Sequence, residues 1–186
     1  MKNRIIAVVG MCGAGKSEVV KEFQKAEYER VYFGDVTFDE MKRRGLELNW
    51  ANEKKVREDL RATGDMGIYA KLSLPKIEKL YNAGKNVVVE SMYSWSEYKV
   101  LKEKFGDDFY TLAVVSNLKV REARLSVRDV RPMTREDVRD RDYSEIEHIE
   151  KGGPIGRADF YILNNFDMDK LRQDTKEIIW YMDSID

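Results

Sequence analysis

Gly10, Gly13, Gly15, Lys16 and Ser17 are the residues whose types and spacing most clearly specify chemistry. They lie in Gly10-Met11-Cys12-Gly13-Ala14-Gly15-Lys16-Ser17, which fits G-x-x-x-x-G-K-[ST], the pattern of a loop that cradles phosphates. The glycines let the chain turn tightly and bring successive backbone N–H groups around one centre. A helix starting near Lys16 adds unsatisfied N–H donors and the positive end of its dipole. Lys16 is then placed to reach the β- and γ-phosphates, and the Ser17 hydroxyl to ligate Mg²⁺. On this reading Gly10, Gly13, Ala14, Gly15, Lys16, Ser17 and Glu18 hold the nucleotide; the bland alternative is a glycine-rich turn without a ligand. Cys12 reads as a small spacer, because no second cysteine exists to pair with it.

The flanking chain supplies the elements this loop needs. Residues 4–9, Arg-Ile-Ile-Ala-Val-Val, form the continuous apolar run of a buried parallel strand. Val19, Val20 and Phe23 give helical spacing after the loop, over about 16–26. Further strands read at 30–33, 86–91, 109–115 and 158–165. In doubly wound sheets ligands bind outside the carboxyl ends of the strands. Asp35, Glu90 and Asn164 fall at such ends. Asp35 reads as a group that orients an acceptor, as a water-mediated Mg²⁺ partner, or as a helix N-cap. Glu90 reads as a Mg²⁺ partner or as a capping carboxylate without metal. Asn164 and Asn165 read as adenine-binding groups or as a turn.

Two stretches exceed what a simple β/α alternation requires. Nearly fifty residues, 36–83, look helical and polar between the second and third strands, where a crossover needs about a dozen. Such an excess suits an acceptor-binding insertion. A break is expected at Thr63-Gly64-Asp65, and Pro75 interrupts the last helical pattern. Arg57 and Arg61, four apart on one helix face, are the better pair there for gripping a phosphate; Arg43 and Arg44 read as solvated charges. After the fourth strand come Arg121, Arg124, Arg128, Arg131, Arg135, Arg139 and Arg141, interrupted by Pro132. Region 128–151 reads as a lid whose guanidinium groups neutralise a triphosphate, or as salt-bridged helix, since acidic residues interleave. Arg124, Arg128 and Arg131 are the expected phosphate contacts. His148, the only histidine, reads as structural.

The chain has 186 residues, suggesting one domain over 1–186. Lys+Arg 33 against Asp+Glu 34 gives a net charge of -1, which argues against nucleic acid or membrane as the main partner. A single cysteine excludes an internal disulfide framework, and no apolar run approaches a membrane span. A cytoplasmic protein, monomeric or homodimeric, is expected.

The ordered set of features resembles the P-loop kinases of the nucleoside monophosphate kinase fold, and most closely adenylate-kinase-related, dephospho-coenzyme-A-kinase-like proteins. Besides the loop it rests on Gly34-Asp35-Val36, Arg43-Arg44-Gly45-Leu46-Glu47, Leu60-Arg61, Phe105-Gly106-Asp107-Asp108-Phe109, Arg124 with Arg128, Arg141-Asp142, and Ala158-Asp159 with Asn164. The resemblance implies an α/β P-loop NTPase fold with a five-stranded parallel sheet in the order 2-3-1-4-5, ATP with Mg²⁺, and a closing lid. It puts Arg124 on the ATP phosphates and Asp35 on the acceptor. Two departures stand out. Where the family carries an arginine four residues after the Gly-Asp glycine, this chain has Phe38; where it carries Asp-Gly-x-Arg after strand three, this chain has Glu90-Ser91-Met92-Tyr93. Losing two charge-assisted contacts costs about 1.5–3 kcal/mol each in acceptor recognition. The donor half is thus expected to be intact and the acceptor half, with Asp35, Phe38, Arg57, Arg61, Glu90 and Tyr93, to be rebuilt. The expected function is ATP-dependent phosphorylation of a nucleotide or nucleotide-like small molecule, catalysed by Lys16, Asp35, Arg124 and Arg128. The alternatives are dephospho-coenzyme-A kinase activity and a nucleotide-binding regulatory ATPase module.

Overall fold

The computed structural model describes residues 3–62 and 64–184. Five strands, β1 (Ile5–Val9), β2 (Glu29–Tyr32), β3 (Val87–Glu90), β4 (Phe109–Val115) and β5 (Phe160–Leu163), form one sheet in the order β2-β3-β1-β4-β5. Every pairing is parallel, with Ile5 opposite Val87 on one side and Phe109 on the other. This is the P-loop kinase fold the resemblance implied. β1 sits at the centre and all five of its residues are buried, as a strand covered on both faces must be.

The pleat divides the core by parity. Ile5, Ala7, Val9, Val87, Val89, Phe109 and Ala113 face one layer, containing Tyr69, Ala70 and Ile77 of α4 (Ile68–Asn82) and Tyr98 and Leu101 of α5 (Trp95–Phe105). Ile6, Val8, Val88, Leu112 and Val114 face the other. There they meet Val19, Val20 and Phe23 of α1 (Lys16–Lys25) and Leu171, Ile179 and Met182 of α9 (Met168–Ser184).

Between β2 and β3 lie α2 (Asp35–Arg43), α3 (Trp50–Arg61) and α4. α4 continues through Pro75, anchored on both sides of it by the burial of Tyr69, Ser73 and Ile77. The Thr63 part of the expected break lies outside the described residues; Gly64, at φ +77, takes the left-handed turn there. α5 opens with a capping box, Ser94 with Glu97, as its sequence predicts. β4 leads to α6 (Leu118–Ser126) and α7 (Arg135–Ile149), the latter capped by Thr134 and Asp137. The stretch 151–154, expected to end that helix, instead starts a short helix of its own, α8 (Gly152–Gly156). β5 begins at Phe160, not 158: the Asp159 carboxylate accepts from the Thr111 N–H (2.8 Å) and so caps the strand's entry. Among the described residues no helix is long and apolar enough to cross a membrane. His148 is exposed, and its Nδ1 lies 3.1 Å from the Ser144 carbonyl.

Candidate active site

The carboxyl ends of the strands gather the candidate residues at one edge, where a cleft of ≈ 1460 Å³ opens. Its floor is the loop between β1 and α1. Gly10 (φ +143) approaches β4 so closely that a Cβ would overlap the Val114 carbonyl oxygen. Gly15 (φ +103) caps α1, and a Cβ there would overlap the Asn164 amide. Only glycine satisfies both the backbone angle and the space. The loop is braced from behind. Asn164 Nδ2 donates to the Ala14 carbonyl at 2.9 Å, and Arg121 Nη1 donates to the Cys12 carbonyl at 3.2 Å. Arg121 is itself held by a buried two-pronged ion pair to Asp142 (3.0 and 2.6 Å). Gly13, Gly15, Lys16, Ser17 and Glu18 line the cleft, while Gly10 and Ala14 are not in its lining.

Lys16 Nζ donates to the Met11 carbonyl at 3.0 Å. Burial pushes its pKa down to about 7, and the nearby Lys151 ammonium pushes the same way. Around Lys16 stand two cations, Lys151 and Arg141, and one carboxylate, Glu145. Glu145 accepts from Lys151 Nζ at 2.6 Å and from Arg141 Nε at 3.0 Å, and the two cations hold its carboxyl below the usual range although burial opposes them. Positive charge is therefore in surplus beside the loop, which is what a polyphosphate requires.

Ser17 Oγ donates to Glu90 Oε1 at 3.2 Å, so the two expected Mg²⁺ groups meet at the edge of the cradle. Glu90 Oε2 is taken by Arg30 Nε at 2.6 Å. One hydroxyl and one carboxylate oxygen facing a phosphate site fit Mg²⁺, which is held by few protein ligands plus phosphate oxygens and water. Among the described residues no group of three or more His, Cys, Asp or Glu forms a metal cage.

Across the cleft, α2 to α4 supply Phe38, Trp50, Glu53, Arg57, Arg61 and Tyr69. Arg61 lies over the Tyr69 ring, 4.6 Å from its centroid. Arg57 Nη1 donates to Glu53 at 3.3 Å, and Arg131 reaches the same carboxylate at 3.8 Å. Tyr93 lies in the wall, its hydroxyl 3.0 Å from Ser91 Oγ, and burial pushes its pKa up to about 12. Buried Glu97 also faces the cleft; desolvation raises its pKa, while N–H bonds from Ser94 and Tyr93 and the charge of Arg61 pull it back.

Three expected site residues are held by other protein groups, Asp35 outside the cleft and Asn164 and Arg124 in its lining. Asp35 is not among the residues lining the cleft: Lys76 of α4 holds its carboxylate at 3.0 Å. It is also not the cap of α2, which is Gly34. Asn164 lines the cleft, but both ends of its amide are engaged by protein, Nδ2 with Ala14 and Oδ1 with Arg124 Nη2 at 3.3 Å. It braces the loop from both ends of its amide. Arg124 likewise donates to the Asn164 carbonyl (3.1 Å) and the Phe166 carbonyl (3.3 Å), tying α6 to the exit of β5. Arg128 and Arg131 are exposed at the cleft mouth, Arg131 in the left-handed region at φ +54. Of the other arginines, Arg135 reaches Glu122 of α6 at 3.7 Å and Arg139 pairs with its neighbour Asp140, so neither makes the i,i+4 bridge expected of a salt-bridged helix; Arg141 does, with Glu145.

Arg30, Glu97 and Lys151, which line the cleft, and Glu145, which holds Lys151 and Arg141, are residues the motifs did not single out. Only Glu97 carried a usable signal, its capping box at a strand end. The other three reach the site through tertiary packing that no local pattern encodes.

The described AAA domain family matches residues 6–149. A UPF0200 protein of Thermococcus onnurineus is 34% identical over 178 residues, covering 94% of this chain and 96% of that one. Among solved structures, shikimate kinase from Bacteroides thetaiotaomicron superposes with TM-score 0.66 at 12% identity over 97% of this chain and 98% of that one. Dephospho-CoA kinase from Campylobacter jejuni does so with TM-score 0.57 at 17% identity over 96% and 97%. The chain thus belongs to the AAA domain family and to the UPF0200 proteins, and it has the P-loop kinase fold.

Proposed function

We propose that the protein is a Mg²⁺-dependent ATP:small-molecule phosphotransferase whose acceptor is a nucleotide or nucleotide-like molecule bearing its own phosphate. One observation carries the reading: the phosphate cradle and the arginine–aromatic wall of α2 to α4 face a single cleft of ≈ 1460 Å³. Ligand sites usually occupy about 300–1,000 Å³, so this cleft has room for donor and acceptor together. The donor side is the loop with Lys16. The acceptor side is the wall of Phe38, Arg57, Arg61 and Tyr69, with segment 36–83 as the acceptor-binding insertion. Segment 128–151 carries Arg128 and Arg131 at the mouth and serves as the lid.

Phosphoryl transfer asks mainly for positioning and for cations on the developing charge. Lys16 supplies a cation at the cradle floor, and Arg128 and Arg131 bring guanidinium groups from above. Ser17 and Glu90 would hold Mg²⁺, which when bound neutralises the β- and γ-phosphates. The Asp35–Lys76 pair bears on the acceptor's chemistry. A hydroxyl acceptor benefits from a carboxylate base, whereas a phosphate acceptor is already a nucleophile. With Asp35 turned to Lys76, a phosphate acceptor is favoured over the hydroxyl of dephospho-coenzyme A.

The test is acceptor-dependent ADP release from MgATP across nucleoside monophosphates, nucleosides and dephospho-coenzyme A. ADP formation with a phosphate-bearing acceptor is expected, and Asp35→Asn should lower it by less than about tenfold, since no base step depends on it. ATP binding with no phosphorylated product from any acceptor would replace the kinase reading with that of a regulatory ATPase module.

A further inference from the structure

Tyr93, at the end of the turn after the third strand, carries a lysine ammonium on its ring. Lys151 leads into α8, far in sequence from the third strand, yet its ammonium lies 4.3 Å from the centroid of the Tyr93 ring. It is only 2% exposed and still lines the cleft. A lysine this buried is rare unless paired. Its one carboxylate partner among the described residues is Glu145, which is shared with Arg141. Lys151 and Arg141 thus share one carboxylate, whose charge also acts on Lys16.

The placement of Lys151 is built. Its backbone N–H donates to the Glu145 carbonyl at 3.1 Å, which closes the turn after α7. Two residues on, Gly153 packs flat on Trp95, where a Cβ would come within 2.9 Å of the indole. Trp95 in turn stacks on Tyr98 at 4.6 Å. Pro154 is buried in the same contact layer. α8 is thereby docked on the start of α5, and Lys151 is fixed against the Tyr93 ring, near enough to Lys16 for its charge to act on it.

We propose that Lys151 is a catalytic residue of the phosphotransferase: its ammonium contacts the transferring γ-phosphoryl group on the side opposite Lys16, at the junction of donor and acceptor halves. The assignment rests on the kinase reading of the cleft. Glu145 holds the ammonium in place, and a phosphate arriving between Lys16 and Lys151 completes the charge balance. The Tyr93 ring supplies the face on which this cation rests.

Binding of MgADP and of a non-hydrolysable MgATP analogue, measured by calorimetry on the wild type, Lys151→Met and Lys151→Arg, separates the possibilities. Methionine keeps the length of the stem and removes the charge, and ADP affinity reports that the loop is intact. Lys151→Met should weaken the ATP analogue about tenfold or more while ADP changes less than about twofold; Lys151→Arg should recover part of the loss. These factors follow from the worth of one charged contact. Equal affinities of Lys151→Met and wild type for the analogue would overturn the assignment, and so would an equal loss for both nucleotides, which marks a residue that only shapes the loop. A wild-type protein that binds neither nucleotide would instead overturn the kinase reading, and the assignment with it.

Discussion

At its phosphate end the cleft is over-determined. The Ala14 and Cys12 carbonyls are each held by a side chain from another element, and Asn164 and Arg121 behind them are themselves buried and bonded. At its far end the cleft is open. Phe38 is 39% exposed, Trp50 is 57% exposed, and Arg61 rests on a tyrosine face without an ion pair among the described residues. The difference matches the ligands each end would take. A triphosphate is the same in every cycle, so backbone N–H groups can be set rigidly for it and cost nothing to reorganise. An acceptor must enter, be gripped and leave, which long exposed side chains on peripheral helices permit.

The most severe way to break this contrast is at Arg121. It joins the phosphate loop to α6 and α7 through Cys12 and Asp142. Arg121→Met leaves Asp142 buried without its counter-charge, a change worth about 3–5 kcal/mol. Urea unfolding should show that loss. The double variant Arg121→Met/Asp142→Leu should regain most of it, since a buried pair replaced by apolar groups is often neutral. Nucleotide affinity should remain impaired in the double variant, because the Cys12 carbonyl has still lost its donor. Full affinity there would mean that the loop holds its shape unaided.

At the open end the effect should appear in acceptor recognition and not in folding. Arg61→Ala removes a cation over Tyr69, worth about 0.5–1 kcal/mol to stability at a part-exposed site. If the guanidinium meets the acceptor's phosphate, the same change should raise the acceptor KM by about ten- to a hundredfold, the worth of one charged hydrogen bond. The KM for ATP should not move. A parallel rise in both would erase the division of the cleft into two halves.

The two ends also differ in how far the amino-acid sequence discloses them. The loop, the buried strand before it and the capping residues Ser94 and Thr134 are local patterns, and local physics suffices to read them. The sheet order follows once the family resemblance is granted. Side-chain destinations are another matter. Asp35 stands where an acceptor group belongs, but a lysine 41 residues away takes its carboxylate. Asn164 sits at a strand end as a ligand group would, yet its amide spans from the loop to Arg124. Lys151 gives no motif at all, because its position depends on how Gly153 meets Trp95. Pairings across tens of residues set these outcomes, and periodicity does not report them.

The smallest effect probes the charge of the phosphate end before nucleotide binds. The Lys16 pKa is lowered from its ordinary 10.5 to about 7, chiefly by burial, and that of Lys151 is lowered for the same reason. Between about pH 7 and 10.5 the unfolded chain therefore binds more protons at Lys16 than the folded one. The nucleotide-free protein should then gain stability as pH rises through that window, the reverse of a lysine that gains a partner on folding. A bound polyphosphate favours the charged ammonium and draws the pKa back up. Nucleotide binding at pH 8 should accordingly take up a proton, approaching one per site for a group whose pKa starts near 7. Calorimetry in buffers of different ionisation enthalpy reads that uptake directly. Lys16→Met should reduce it to the part contributed by Lys151, and proton-neutral binding by the wild type would show that Lys16 is already charged before nucleotide binds.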